Sequence, residues 1–250
     1  MRYRPFGNTG LRVSELFLGA MTFGEQGGVG APIEECRRML DLYAEAGGNV
    51  VDTAINYRGG ALYLGISDAP AWVVSRANTL AEWRGWSPLA GLQVPYSLLG
   101  RDIERELLPM AEAFGMSVAA WSPLGGGVLS GKFARGVVGP GSRVSPDSVS
   151  ARDLGVAKTV QEVAGELGVT SAQVAIAWTR ARSRVVHPIV GARSVAQLAD
   201  NLAAVAVELP VEAVRRLEEA SGFVAGFPVD FIAQTSPWVF GEVSRRVDGR

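Results

Sequence analysis

Short apolar runs alternate with longer amphipathic segments along most of this 250-residue chain. Such alternation is typical of parallel β/α architecture, in which a helix connects each strand to the next. The strands are predicted near 16–20, 49–54, 62–67, 91–95, 117–121 and 185–190. Because reactive groups of such folds gather where the parallel strands end, the residues that follow each strand are the first candidates for function.

Amphipathic periodicity and capping residues predict helices between and after these strands. The predicted helices cover 32–47, 70–85, 101–115, 152–167, 171–182, 194–205 and 211–220. In the first helix, Ile33, Cys36, Leu40 and Tyr43 share one face, and Ser194 is the expected N-cap of the sixth. The tail that follows is rich in Phe, Pro and Trp and is predicted to be irregular.

The start of the chain predicts a β-hairpin, because the turn residues Gly7-Asn8-Thr9-Gly10 lie between two extended segments. After the next strand, the stretch FLGAMTFGEQGG lacks the G-x-G-x-x-G spacing of open dinucleotide-binding sheets. A barrel is therefore favoured over an open, doubly wound sheet. No linker-like stretch divides the chain, so one domain is expected over residues 1–250.

Composition limits the classes of partner. The net charge is −1 and the isoelectric point is near 6.0, which gives no electrostatic case for nucleic acid or an anionic membrane. Cys36 is the single cysteine and His187 the single histidine, so they cannot by themselves form a Cys/His metal site. The amino terminus has no apolar signal segment and no apolar run is long enough to cross a bilayer, so a cytoplasmic location is expected.

The stretch VVDTAINYRGGALYLGIS, residues 50–67, interrupts the alternation because two apolar strands follow each other without a helix. A crossover between parallel strands takes about a dozen residues or more. From Ala54 to Leu62 the chain spans at most about 27 Å, at about 3.4 Å per residue. It could return extended, or turn at Gly59-Gly60 and pair its strands antiparallel. Either outcome leaves exposed strand edges, so a homo-oligomer is a possibility that the sequence raises.

Polar side chains follow several strands. Asp52 and Tyr57 follow the second, where they could cap and anchor a loop or take part in catalysis. Ser67 and Asp68 follow the third and could cap a helix or bind an amide. Gln93 and Tyr96 lie at the end of the fourth strand, where an aromatic face could stack on a planar cofactor ring or be ordinary core.

Two glycine-containing segments suggest anion binding. The loop WSPLGGGVLSGKF, residues 121–133, supplies glycines and donors that could wrap a pyrophosphate or simply form a loop. The segment PIVGARSVAQLADN, residues 188–201, runs from a strand into a helix amino terminus, where Arg193 could bind a terminal phosphate. A simple capped helix is the alternative for this second segment.

Taken together, these segments resemble the aldo-keto reductase family. The resemblance rests on FGNTGLRVSELFLGAMTFG, NVVDTAINY, LGISDAP, QVPYSLLGRDIERELLPMAEAFGM, WSPLGGGVLSGKF, PIVGARSVAQLADNL and the tail GFPVDF. It implies a (β/α)8 TIM-barrel type of fold that is incomplete here, with about six of the eight barrel strands and an N-terminal β-hairpin. The segment that should carry strands three and four is missing after Tyr57.

The resemblance implies that NADPH binds across the carboxyl ends of the strands. Tyr96 would stack on the nicotinamide, and Ser67, Asp68 and Gln93 would hold its carboxamide, although Asn is more usual than Asp at position 68. The 122–132 loop would cover the pyrophosphate, and Arg193 on the 2′-phosphate would favour NADPH over NADH. The remaining implied cofactor residues are Ser122, Leu124, Gly126, Lys132, Gly191, Gln197 and Asn201.

Catalysis in the family uses an Asp, a Tyr, a Lys and a His. Asp52 and Tyr57 match the first two. No lysine lies between Asp52 and Lys132, and His187 belongs to the last strand, so neither takes the missing role. Arg58 beside Tyr57 is a weak substitute for the lysine.

Three functional hypotheses follow. The first is a reductase of aldehydes or ketones, impaired by the missing Lys and His, which acts on a small carbonyl substrate. The second is a non-catalytic relative that binds NADPH or docks on a partner. The third is the functionless product of an internal deletion. Substrate identity would depend on the tail, where Phe231 and Trp238 could line a pocket or simply pack.

Overall fold

The computed structural model describes residues 1–23, 30–52, 64–133 and 144–241. Two antiparallel strands form an N-terminal hairpin, and six parallel strands form one sheet in the order β4-β3-β8-β7-β6-β5. The strands are β1 Tyr3–Pro5, β2 Arg12–Ser14, β3 Phe17–Gly19, β4 Val51–Asp52, β5 Leu64–Ser67, β6 Leu89–Pro95, β7 Ser117–Trp121 and β8 Val186–Val190.

The parallel sheet curls into a half-barrel, which confirms the expected incomplete (β/α)8 barrel with its N-terminal hairpin. All six predicted strands are present. Within the described residues, β4 pairs only with β3 and β5 pairs only with β6, so these two strands form the open edges. The antiparallel pairing considered for β4 and β5 does not occur between their described residues. The connection through Tyr57, Gly59 and Gly60 lies outside them.

Helices cover the outer face of the half-barrel. They are α1 Ile33–Glu45, α2 Ala71–Arg84, α3 Leu107–Ala113, α4 Ala151–Leu167, α5 Ser171–Ala181, α6 Val195–Ala203, α7 Val211–Ser221 and α8 Val229–Phe240. Ser194 caps α6, as predicted, because its hydroxyl accepts a hydrogen bond from the Gln197 N–H at 3.2 Å. The predicted helix over 101–115 is instead a 3₁₀ turn over Asp102–Glu104 followed by α3.

Alternate residues of each strand face opposite sides of the sheet. In β6 and β7, the even-numbered side chains face outward, where Leu92, Val94, Val118 and Ala120 join the core shared with the helices. The odd-numbered residue Ala119 lies in a smaller inner cluster. This alternation decides which strand residues can reach the interior of the half-barrel and its open end.

The inner cluster closes the amino-terminal end of the half-barrel. Phe17, Ala119 and Ile189 belong to it, with Phe6 of the hairpin segment packed against them. The ring of His187 is fully buried here and stacks on Phe17, with ring centroids 4.9 Å apart. His187 is thus a buried core histidine and not a solvent-exposed catalytic group.

Two predictions about helices differ from the structure. In α1 the buried side chains are Cys36, Met39 and Tyr43, whereas Ile33 and Leu40 are exposed. Two of the four residues predicted to share one face, Cys36 and Tyr43, are therefore on the buried face. The tail predicted to be irregular contains α8, which continues through Pro237 and buries none of its side chains. A helix with no buried face leaves no clear apolar stripe in the sequence.

None of the helices in the described part of the chain is long and apolar enough to cross a membrane. The same described residues contain no cluster of three His, Cys, Asp or Glu side chains that could hold a metal ion. Cys36 is buried and forms no disulfide.

Candidate active site

The carboxyl ends of the strands bring Asp52 and Gln93 into contact. Asp52 ends β4, and Gln93 lies in β6 with its side chain on the inner face. Although β4 and β6 are not neighbours in the sheet, the Gln93 Nε2 group donates a hydrogen bond to Asp52 Oδ1. The curl of the half-barrel therefore closes its open end through this pair of side chains.

Burial governs the acidity of Asp52. Its side chain is half-buried, and desolvation raises the pKa of the carboxyl above its usual range. The hydrogen bond from Gln93 acts in the opposite direction but is the smaller effect. Among the described residues, the only side chain bonded to Asp52 is this uncharged amide.

Asp68 and Trp121 extend the group of polar atoms around Gln93. The Asp68 N–H donates to the Gln93 carbonyl at 3.2 Å, and Asp68 Oδ2 accepts from the Ser67 hydroxyl at 3.1 Å. The Trp121 Nε1–H lies 3.4 Å from Asp68 Oδ1, at the long end of hydrogen bonding. Asp68 adopts φ of 50°, a conformation uncommon for residues other than glycine.

Trp121 is a site residue that the sequence reasoning missed. It ends β7 with 40% of its surface exposed, on the same inner side as Ala119. The alternation of side chains in the strand SVAAW could have indicated its position. Val118 and Ala120 are buried on the outer side of the sheet, so Trp121 lies on the inner side.

Tyr96 lies elsewhere than the resemblance implied. It is 1% exposed and belongs to the outer core, where its ring lies 5.5 Å from that of Trp178. Its hydroxyl donates to Glu104 Oε1 at 2.7 Å, and burial together with this carboxylate raises the pKa of Tyr96. A ring enclosed in this way has no open face for a cofactor, so the geometry does not support stacking by Tyr96. Trp121 has the open face that this role requires.

The loop after β7 folds into a compact turn. Ser122 has φ of 57°, and its hydroxyl accepts from the Gly126 N–H at 3.0 Å. Gly126 has φ of 65°, and a Cβ there would lie 2.5 Å from Val144 Cγ2, so only glycine fits. Leu124 is partly buried in the core, and its carbonyl accepts from the Leu129 N–H at 3.1 Å. The side chain of Lys132 packs over the Phe133 ring.

The segment after β8, to which the resemblance assigns the adenosine end of the cofactor, forms a hydrogen-bonded turn into α6. Gly191 O accepts from Asn201 Nδ2 at 3.2 Å, and the Arg193 N–H donates to Gln197 Oε1 at 3.0 Å. Asn201 is buried, whereas Arg193 and Gln197 are exposed. Thr22 adds a hydrogen bond to the Ala192 carbonyl at 2.6 Å. These contacts hold the turn that leads into α6, and Gln197 and Asn201 shape it from within.

Besides Tyr96, four predicted residues fall outside this arrangement. Tyr57 and Arg58 lie outside the described residues. Phe231 and Trp238 lie on α8 and are 56% and 86% exposed. The structure thus brings Asp52, Gln93, Asp68 and Ser67 together with Trp121.

Comparison with known proteins identifies relatives of this chain. The model of the aldo/keto reductase family matches residues 58–221. A Saccharomyces cerevisiae protein named "Putative aryl-alcohol dehydrogenase AAD10" is 39% identical over 181 residues, which cover 70% of this chain and 63% of that protein. Norsolorinic acid reductase of Aspergillus flavus is 33% identical over 177 residues, covering 71% and 45%. Aldo-keto reductase ausK of Emericella nidulans is 34% identical over 216 residues, covering 76% and 52%.

The chain is therefore similar to longer proteins. It spans between 45% and 63% of the length of these three relatives. The family match begins at residue 58, within the stretch that joins β4 to β5.

Proposed function

The chain belongs to the aldo/keto reductase family, and from this premise we propose that it is an NADPH-dependent oxidoreductase that reduces aldehydes or ketones to alcohols. The observation that carries the proposal is the contact of Asp52 with Gln93, beside Asp68 and the exposed ring of Trp121. An acid, an amide and an open aromatic face thus meet at one end of a parallel half-barrel.

The residues present fit a dinucleotide. The exposed indole of Trp121 offers a flat surface for a nicotinamide ring, and Ser67, Asp68 and Gln93 supply hydrogen-bonding groups for its carboxamide. The compact loop with Ser122, Leu124, Gly126 and Lys132 would lie along the pyrophosphate. Gly191, Arg193, Gln197 and Asn201 would hold the adenosine end, with the Arg193 guanidinium on the 2′-phosphate.

The chemistry divides between cofactor and protein. Bound NADPH supplies the hydride that reduces a carbonyl carbon. In the proposal, Tyr57 gives a proton to the carbonyl oxygen, and a free tyrosine with a pKa of about 10 needs help to do so near neutrality. Asp52 is a titratable group that the Gln93 amide holds at the carboxyl end of the sheet.

Asp52→Asn tests this division of roles. We expect the substitution to lower kcat/KM for NADPH-dependent reduction of a generic aldehyde by about 10²-fold, at the low end of what acid–base groups contribute. The Kd for NADPH should change by less than about threefold, since the cofactor contacts remain. Asp41→Asn, at an exposed position of α1, is the matched control and should leave both quantities unchanged. Equal turnover in Asp52→Asn and the parent protein would remove Asp52 from the mechanism.

A second candidate is a non-catalytic protein that binds NADPH or docks on a partner. The contact of Asp52 with an uncharged amide favours it, because the Gln93 side chain carries no positive charge that could take the role of the family's lysine. The discriminating result is saturable NADPH binding without carbonyl-dependent oxidation over a broad panel of aldehydes and ketones.

We also propose that the protein acts in the cytoplasm as a homo-oligomer, without nucleic acid or membrane as a partner. The support for assembly is the pair of open edges, β4 and β5, whose residues Val51 and Leu64 are 44% and 46% exposed. Unpaired backbone groups along such edges favour pairing with a second copy.

A further inference from the structure

A carboxylate from another helix is seated at the amino end of α6. Glu35 of α1 accepts a hydrogen bond through Oε1 from the Val195 N–H at 2.7 Å. Its second oxygen pairs with Arg38 Nη2 at 2.8 Å, and its side chain is 19% exposed. Because α1 and α6 pack together through one core that includes Met39 and Leu198, the carboxylate is held in this place by the fold.

The amino end of a helix attracts anions, because its first N–H groups lack partners within the helix and carry partial positive charge. Three of the donors around this end are already engaged. The Arg193 and Gln197 N–H groups donate to the Gln197 amide and the Ser194 hydroxyl, which are neutral acceptors. The Val195 N–H differs, because its acceptor Glu35 carries a charge.

The neutral acceptors and the charged acceptor would have different effects on an incoming phosphate. Neutral acceptor side chains can rotate away from an incoming phosphate at small cost, or stay and accept a hydrogen bond from a protonated phosphate oxygen. The Glu35 carboxylate repels a phosphate at close range, and its pairing with Arg38 weakens this repulsion without removing it. A phosphate that takes the Val195 N–H must therefore displace Glu35 from it.

We infer that Glu35 is a specificity-determining residue which opposes binding of the 2′-phosphate and so moves the cofactor preference toward the dinucleotide that lacks it. The inference rests on the proposed function, because it takes the 191–201 segment as the adenosine end of the cofactor site. It extends that proposal by assigning opposite effects on 2′-phosphate binding to two residues. Arg193 attracts the 2′-phosphate, and Glu35 competes with it for the helix end.

The test uses two small probes with the same number of phosphates. Isothermal titration with 2′,5′-ADP and with 5′-ADP, at one fixed ionic strength, isolates the 2′-phosphate from the rest of the cofactor and from turnover. The variant is Glu35→Gln, which keeps an oxygen for the Val195 N–H and removes the charge. Glu34→Gln is the matched control, because Glu34 forms an i,i+3 pair with Arg37 on the same helix but is 69% exposed.

We expect Glu35→Gln to tighten binding of 2′,5′-ADP about tenfold and to change binding of 5′-ADP by less than about twofold. Glu34→Gln should leave the ratio of the two affinities as in the parent protein. An unchanged ratio in Glu35→Gln, with NADPH still bound, overturns the inference and leaves the proposed function standing. If neither probe nor NADPH binds to the parent protein or to Glu35→Gln, the proposed function fails and the inference falls with it.

Discussion

His187 is the residue through which a lower pH should most clearly reduce the free energy of unfolding. Within the described part of the chain, both of its ring nitrogens are buried without a hydrogen-bond partner, and the ring packs against those of Phe6 and Phe17. Burial lowers the pKa of His187 to about 4, compared with about 6.5 in an unfolded chain. Between these values the unfolded state binds a proton that the folded state does not, so the free energy of unfolding falls as the pH falls.

The predicted size of this effect is about 2 kcal/mol between pH 7 and pH 5, from 1.36 kcal/mol for each pH unit below about 6.5. Urea unfolding of the parent protein and of His187→Phe at both values measures it. The variant retains the acidic side chains, so the difference between the two curves isolates the histidine. Parallel pH dependence in the two proteins would show that His187 does not titrate on unfolding.

Single residues also show where sequence reasoning reaches its limit. The position of Gln93 near a strand end was sufficient to place it in the site. For Tyr96 the strand-end position left ordinary core as an alternative to stacking, and Tyr96 lies in the core, whereas the stacking role came from the resemblance. The alternation that buries Leu92 and Val94 continues to Tyr96, whereas Gln93 and Trp121 lie on the inner side.

At the scale of elements, the strands were predicted most reliably. Buried parallel strands are short continuous apolar runs, and turn residues or helix caps mark their ends. Helix α8 was missed because its stability does not come from a buried face, and its prolines at 228 and 237 suggest a break. The connection from β4 to β5, residues 53–63, lies outside the described structure.

The edge strand β5 carries the prediction about assembly. Leu64→Lys places a charge on the open edge, which disfavours pairing with another strand. We expect sedimentation to show the parent protein at a multiple of 26.4 kDa and the variant at or near one copy. Val224→Lys, in the loop before α8, is the control for an added lysine at an exposed apolar position. A parent protein that is a single, cooperatively melting monomer would rule out assembly through the edges.

At the scale of the whole molecule, the residues matched by the family model, 58–221, include strands β5, β6, β7 and β8 of the half-barrel. The residues that meet at the carboxyl end of the sheet come from β5, β6 and β7, which are neighbours in the sheet, and from β4, whose Asp52 contacts Gln93 across the curl. The central claim is that this end holds NADPH, with the indole of Trp121 as the surface for the nicotinamide.

Titration with NADPH, followed by its own fluorescence, tests that claim most directly. The comparison is between the parent protein, Trp121→Leu and the control Trp83→Leu, since Trp83 is 82% exposed on α2. Saturable binding by the parent protein and the control, with a Kd about tenfold weaker in Trp121→Leu, is the predicted result. No saturable binding by the parent protein, or an equal Kd in Trp121→Leu, would contradict it.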